Sequence, residues 1–172
     1  MIDINREAPY GTVEMKIRRI VDKMVDVNYL FVNESLANID LDNINIVGPT
    51  VVFFMPLDGV FQFKWNCVID KPDTTIAFVV HHEFDFDGEG CDQNIERMKR
   101  LCFMFVKLLN ESGYFEPIEG DVDYTVFVNA YDDNVVGVSI APQLKEIEGV
   151  LLCDIIERDL DKELEVDFTS SE

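Results

Sequence analysis

The sequence predicts an α+β domain in two layers, with an antiparallel sheet carrying two amphipathic helices on one face, in the order α-β-β-β-α-β-β. Two stretches repeat apolar residues at helical spacing, one after Thr12 and one after Asp92. Short β-branched and aromatic runs bounded by turn residues lie between and after them. The connections between these runs are short, and strands joined by short turns pair antiparallel. With 172 residues the chain has the length of one ordinary domain.

The N-terminal part of the chain predicts a polar arm and a first helix. Residues 1–11 are polar and end in Pro-Tyr-Gly, so we expect an arm before a single domain over residues 12–153. Thr12 is the predicted N-cap, and the helix is expected to run to about Asn33. Its apolar stripe has the spacing i, i+3, i+4, i+7 and consists of Ile17, Ile20, Val21 and Met24.

Three strands are predicted between the helices. Residues 44–57 are apolar and β-branched, and Asp58-Gly59 after them predicts a hairpin turn. Residues 70–73 predict another turn, and residues 75–86 a third strand, with a helix as the alternative. Residues 60–67 alternate as a strand with one buried face does. The side chains expected to face the core are Phe61, Phe63, Trp65 and Cys67, with Gln62, Lys64 and Asn66 facing solvent.

The second half of the chain predicts the longer helix, a hairpin and an acidic tail. The helix is expected between a cap at Asp92 and Gly113, which suits a left-handed C-cap position. Residues 123–131 and 135–144 predict a hairpin, and residues 147–153 an additional edge strand. Residues 154–172 form an acidic C-terminal tail that is expected to fray.

The charge of the chain limits its partners. A net charge of −20, from 34 acidic and 14 basic residues, repels phosphates, so neither sequence-independent nor direct sequence-specific binding of nucleic acid is expected. Simple colloidal solubility explains the acidity equally well. The N-terminus lacks an apolar signal core, and no run approaches the roughly 18 apolar residues of a membrane span. We therefore expect no membrane partner and a protein made in a cytoplasm.

No catalytic or cofactor motif is present in the sequence. Neither a GxSxG elbow, a Walker-type phosphate loop nor GxGxxG occurs, so we expect no enzyme activity and no cofactor. The four cysteines form no CxxC pair and are expected to be reduced thiols, those at Cys67 and Cys102 on apolar faces.

One cluster has residue types that bind metals. On a strand, His81, Glu83, Asp85 and Asp87 would share a face, whereas His82 would point to the opposite one. The spacing matches no metal signature, so we favour a solvated strand face running into an acidic loop and expect no metal.

Two segments are candidate subunit contacts. The strand that contains Phe53, Phe54 and Met55 is apolar on both faces, so it is either fully covered or partly exposed as an interface. The second candidate is the loop over residues 81–91, with His81, His82, Glu83, Asp85 and Asp87.

A family resemblance follows from the stretch VFQFKWNCVIDKP at residues 60–72, followed by a loop, an amphipathic helix and a strand pair ending GVSIAPQL. Over roughly residues 12–144 this pattern resembles small tail-terminator-like and head–tail neck proteins of tailed phages, including those of Bacteroides-type hosts and crAss-like ring proteins. The resemblance implies a non-enzymatic virion protein, assembled in the host cytoplasm as a cyclic homo-oligomer. Its implied partners are other neck, portal and tail proteins.

A second class of protein shares the same order of elements. Type III secretion chaperones are also small, acidic and α-β-β-β-α-β-β, usually with a last helix, for which residues 154–166 are the candidate. Such proteins hold an extended segment of a partner as dimers. Oligomeric state therefore discriminates the two hypotheses.

Overall fold

The computed structural model describes residues 12–33, 48–64, 67–82, 89–130 and 134–147, and it confirms the α+β class. Two helices and seven strands are present in these ranges. In chain order they are α1 (Val13–Val21), β1 (Asn28–Val32), β2 (Thr50–Phe54), β3 (Gly59–Lys64), β4 (Cys67–Pro72), β5 (Thr75–His81), α2 (Glu89–Glu111), β6 (Tyr124–Ala130) and β7 (Val135–Ile140).

The first helix begins where its capping residue predicts and ends earlier than expected. The Thr12 hydroxyl accepts a hydrogen bond from the Met15 amide at 3.2 Å, which confirms the N-cap. The helix ends at Val21, so the predicted end near Asn33 is wrong. Asp26 adopts a left-handed conformation with φ of 56°, which turns the chain away from the helix. The β-branched and aromatic residues that follow form β1 instead.

The main sheet has five strands in the order β1-β2-β5-β7-β6. Three of its four pairs are antiparallel, but β1 and β2 are parallel, so the prediction of a wholly antiparallel sheet is wrong at this pair. A parallel pair needs a connection of about a dozen residues or more, and residues 33–49 satisfy this requirement.

The central strands belong to one long hairpin rather than to two short ones. β2 pairs with β5, and farther along the same two limbs β3 pairs with β4 as a separate two-stranded sheet. The Asp73 amide donates to the Asp58 carbonyl at 3.0 Å and continues the ladder between them. The chain therefore reverses between Lys64 and Cys67, and the predicted turns at Asp58-Gly59 and at residues 70–73 are wrong. Pro56, which cannot donate to a ladder, separates the two sheets.

Both helices pack on one face of the main sheet, as predicted. Alternate residues of β2, β5 and β7 supply this face, with Phe78 of β5 meeting Phe105 of α2 edge-on at 5.5 Å between ring centroids. The helical side of the core comprises Ile17, Ile20, Val21, Met24, Met98, Leu101, Phe105 and Leu109. The opposite face has its own cluster of Val32, Val52, Phe54, Ala77, Val79 and Val135.

The second half of the fold follows the prediction closely. α2 begins at Glu89, three positions before the predicted cap, and Gly113 adopts the left-handed conformation with φ of 71°. The β6–β7 hairpin is confirmed. Of the predicted edge strand over residues 147–153, only Ile147 is described, and its amide donates to the Tyr114 carbonyl at 3.3 Å. The N-terminal arm, the acidic tail and Trp65 lie outside the described residues.

Candidate functional site

The β3–β4 hairpin presents an aromatic face to solvent. Residues directly opposite each other in an antiparallel pair share a face, and here Phe61 lies opposite Asp70. Phe63 follows on the same side of β3. Phe61 is 62% exposed and Phe63 is 78% exposed, whereas Ile69 on the opposite face is fully buried. We call Phe61, Phe63 and Asp70 the hairpin face.

The prediction that Phe61 and Phe63 face the core is therefore wrong. The side chains of β3 do alternate between two faces as predicted. The buried face, however, is the one that carries Gln62, which lies opposite the buried Ile69 of β4. The Gln62 Oε1 atom is buried and accepts no hydrogen bond from the described residues. Because the hairpin is a sheet of its own, the helices that cover β5 and β7 do not cover its aromatic side chains.

A second exposed apolar surface lies on the strand β6. Tyr124 and Val126 alternate along β6 and share the face on which Val138 of β7 packs against the helices. Val128 follows where the register between β6 and β7 shifts. Within the described chain, β6 is an edge strand, and α2 packs on β5 and β7 instead. The three side chains consequently stay 55%, 38% and 45% exposed.

The neighbouring outer side of α2 is apolar and basic. Phe103 is 72% exposed and Met104 is 50% exposed. The eleven residues 97–107 contain four basic side chains and no acidic one, in a chain of net charge −20. The basic residues are Arg97, Lys99, Arg100 and Lys107.

Lys99 joins the helix to the edge strand. Its Nζ atom lies 5.2 Å from the Tyr124 ring centroid, a cation–π contact. It also forms an ion pair with Glu96 at 2.8 Å, and this hydrogen bond raises the pKa of the Lys99 ammonium. Phe103 follows by one helical turn on the same side of α2. The α2–β6 surface, as used below, comprises Arg100, Phe103, Met104, Lys107, Tyr124, Val126 and Val128.

The predicted contact strand is mostly interior. Phe53 is 1% exposed and packs among the residues under the helices, and Phe54 is 7% exposed in the cluster on the opposite face. Their burial favours the alternative that this strand is covered. Met55, which follows the end of β2, is 41% exposed.

The predicted histidine and acidic cluster is only partly described. His81 is exposed at the end of β5, while Glu83, Asp85 and Asp87 lie outside the described residues. Among the residues whose positions are given, no three side chains of metal-binding type come together.

His82 packs against the start of α2. Its Nδ1 atom lies 3.1 Å from the Asn94 amide nitrogen, and its backbone amide donates to the Asn134 carbonyl. A Cβ atom at Gly90 would lie 2.7 Å from the imidazole Cε1, so any other residue there would displace the His82 ring. If the Asn94 amide donates, Nδ1 is unprotonated and the proton sits on Nε2, which is buried without a described partner. This arrangement anchors the helix to the end of β5.

Open depressions on the described part of the surface include one of about 390 Å³ on α2 and one of about 470 Å³ beside Tyr29. The first is lined by Asp92, Gln93, Glu96, Arg97 and Arg100. Neither has a cysteine or histidine among its described lining residues. Burial raises the pKa of the Cys102 thiol to about 11, which makes this cysteine a poor nucleophile.

Neither described helix has the combination of length and apolar character that crossing a membrane requires. No family model matches the chain, and no curated protein matches it. The hairpin face and the α2–β6 surface are therefore the features from which a function can be inferred.

Proposed function

We propose that this chain is a non-enzymatic structural protein that assembles with copies of itself into a ring. The particle suggested by its resemblance is the neck or tail end of a tailed phage. In that setting the ring joins capsid and tail, contacts portal, neck or tail proteins, and is incorporated into a virion in the host cytoplasm.

The observation that carries the proposal is the hairpin face. Two phenylalanine side chains, 62% and 78% exposed, stand on a two-stranded sheet that is separate from the main sheet. Exposed clusters of large apolar side chains mark protein-binding surfaces. A six-residue strand spans about 20 Å, which gives such a hairpin the reach to enter a neighbouring subunit.

The charge of the chain also suits a ring around packaged DNA. A lumen with excess carboxylates repels phosphate and lets DNA slide without binding. The same charge opposes association of copies except where an interface supplies local attraction. A self-assembling protein of net charge −20 therefore needs a specific apolar or oppositely charged contact.

The test is native mass spectrometry over a concentration series, with negative-stain imaging of any large species. We expect a cyclic oligomer of more than two copies for the unchanged protein. Phe63→Ser should reduce this assembly by roughly tenfold or more in apparent affinity while leaving the fold intact. A chain that stays monomeric at every concentration, alone and with phage neck proteins, would overturn the proposal.

The matched control is Val25→Ser. Val25 lies in the turn after α1, is 82% exposed, and so loses a comparable exposed apolar group away from the hairpin. Assembly should be unchanged in this variant. Equal loss in both variants would point to general apolar association rather than to a hairpin contact.

A second candidate function is supported by β6. An edge strand with exposed apolar side chains is the surface on which an extended peptide adds a strand, as a secretion-type chaperone would require. This function predicts a stable dimer and weaker peptide binding after Val126→Lys. A cyclic oligomer without peptide binding excludes it.

A further inference from the structure

We propose that the hairpin face of one copy docks on the α2–β6 surface of the next copy. This inference rests on the proposed self-assembly and names the acceptor for it. The occupant is a second copy of this chain, and the contact is heterologous: two different surfaces meet at each interface.

Local charge identifies α2 as the acceptor. Residues 97–107 carry four positive charges and no negative ones, while the whole chain carries −20. Most of the surface therefore repels another copy. Lys99 and Lys107 are paired with Glu96 and Glu111, so the attraction in this stretch comes from Arg97 and Arg100. Within the described chain, neither Arg97 nor Arg100 forms an ion pair, although the Arg100 charge acts on the nearby Glu96 carboxylate.

The hairpin face has the complementary charge and shape. Asp70 shares the face of Phe61, and Asp58 is exposed at the base of the hairpin. A carboxylate beside an aromatic ring matches an arginine beside an apolar side chain, because guanidinium groups pair with carboxylates and also stack on rings. Phe61 and Phe63 would cover Phe103 and Met104, and Asp70 would approach Arg100.

The separation of the two surfaces allows the contact to propagate from copy to copy. The hairpin face lies on β3 and β4, and the α2–β6 surface lies on other elements, so one copy offers both without conflict. A contact between two different surfaces propagates from copy to copy, and it ends in a ring when the rotation closes. A contact of one surface with itself would stop at a dimer.

The experiment uses two variants of the full chain that each lose one surface. Phe63→Asp removes the hairpin face, and Met104→Asp removes the acceptor. Both positions are at least half exposed, so both variants should keep the unfolding midpoint and circular dichroism of the unchanged protein. Each variant alone should be a monomer, with association weakened roughly tenfold to a hundredfold.

Mixing the two variants gives the decisive result. The Phe63→Asp copy keeps its acceptor and the Met104→Asp copy keeps its hairpin, so together they have one intact interface. We expect a one-to-one heterodimer and no larger species by native mass spectrometry. Two results would show that the α2–β6 surface is not the acceptor: rings formed by Met104→Asp alone, or two monomeric variants that remain monomers when mixed. Either result would leave the proposed self-assembly standing. Absence of any assembly by the unchanged protein would overturn both.

Discussion

The Nζ atom of Lys16 in α1 forms an ion pair with Glu146, which lies 130 residues later in the chain. The same ammonium lies 5.9 Å from the Phe115 ring centroid. Lys16 is 1% exposed, so its charge is neutralised inside the protein by a residue from the segment after β7. This pair holds the last described part of the chain against the first helix, on the core face of the sheet.

Replacing Glu146 should lower the free energy of unfolding more than replacing Lys16 does. Glu146→Gln leaves a buried ammonium without its carboxylate and should destabilise the fold by about 3–5 kcal/mol. Lys16→Met should cost less, because Met fills a similar volume and the Glu146 side chain is 14% exposed and can reach water. Urea unfolding of both variants measures the difference. Equal losses would contradict the burial of the charge at Lys16.

Phe54 and Met55 should respond very differently to the same substitution. Phe54→Asp places a carboxylate in a cluster where the side chain is 7% exposed, and should cost more than about 4 kcal/mol, enough to unfold a marginally stable domain. Met55→Asp, at a residue that is 41% exposed, should remain folded. Circular dichroism measures whether each variant is folded, and size-exclusion chromatography measures whether it is a monomer. A folded Phe54→Asp monomer would restore this strand as a contact surface.

Gly137 in β7 should tolerate no side chain. A Cβ atom there would lie 2.4 Å from the Phe78 carbonyl oxygen and 2.7 Å from the Phe127 Cζ atom. The carbonyl belongs to the neighbouring strand and cannot move without breaking the ladder. Gly137→Ala should therefore destabilise the fold by about 1–3 kcal/mol or more in urea. Ser139→Ala, two residues along the same strand, is the control and should have little effect.

The helices and the β6–β7 hairpin could be predicted because local periodicity determines them. The 3.6-residue stripe that includes Met98 and Phe105 requires a helix, and Gly113 marks its end. The strand β1 was missed because its residues were assigned to the preceding helix. The Asp58-Gly59 signal also failed, since long-range pairing of the two hairpin limbs outweighed local turn preference.

The candidate site was harder to predict than the fold. Alternation in β3 gives the period of two, but which face is buried depends on what covers the hairpin, and no local pattern contains that information. The exposure of Phe61 and Phe63 followed only from the tertiary arrangement. Likewise, Tyr124 and Val126 form a surface because β6 is at the edge of the described sheet, which depends on strand order. The acid-free basic run at residues 97–107 was the one signal visible in the sequence.

Stability should depend on Cys102 at high pH. Burial raises the pKa of this thiol from 9.0 to about 11, so the unfolded chain ionises at lower pH than the folded protein does. The contribution that favours folding is fully present below about pH 9 and is lost as the pH rises through about 11. In urea unfolding, the unchanged protein should therefore lose free energy of unfolding relative to Cys102→Ala as the pH rises from about 9 to about 11. Other groups that titrate in the same range cancel in this comparison. A difference independent of pH would mean that the thiol is as solvated in the folded protein as in the unfolded chain.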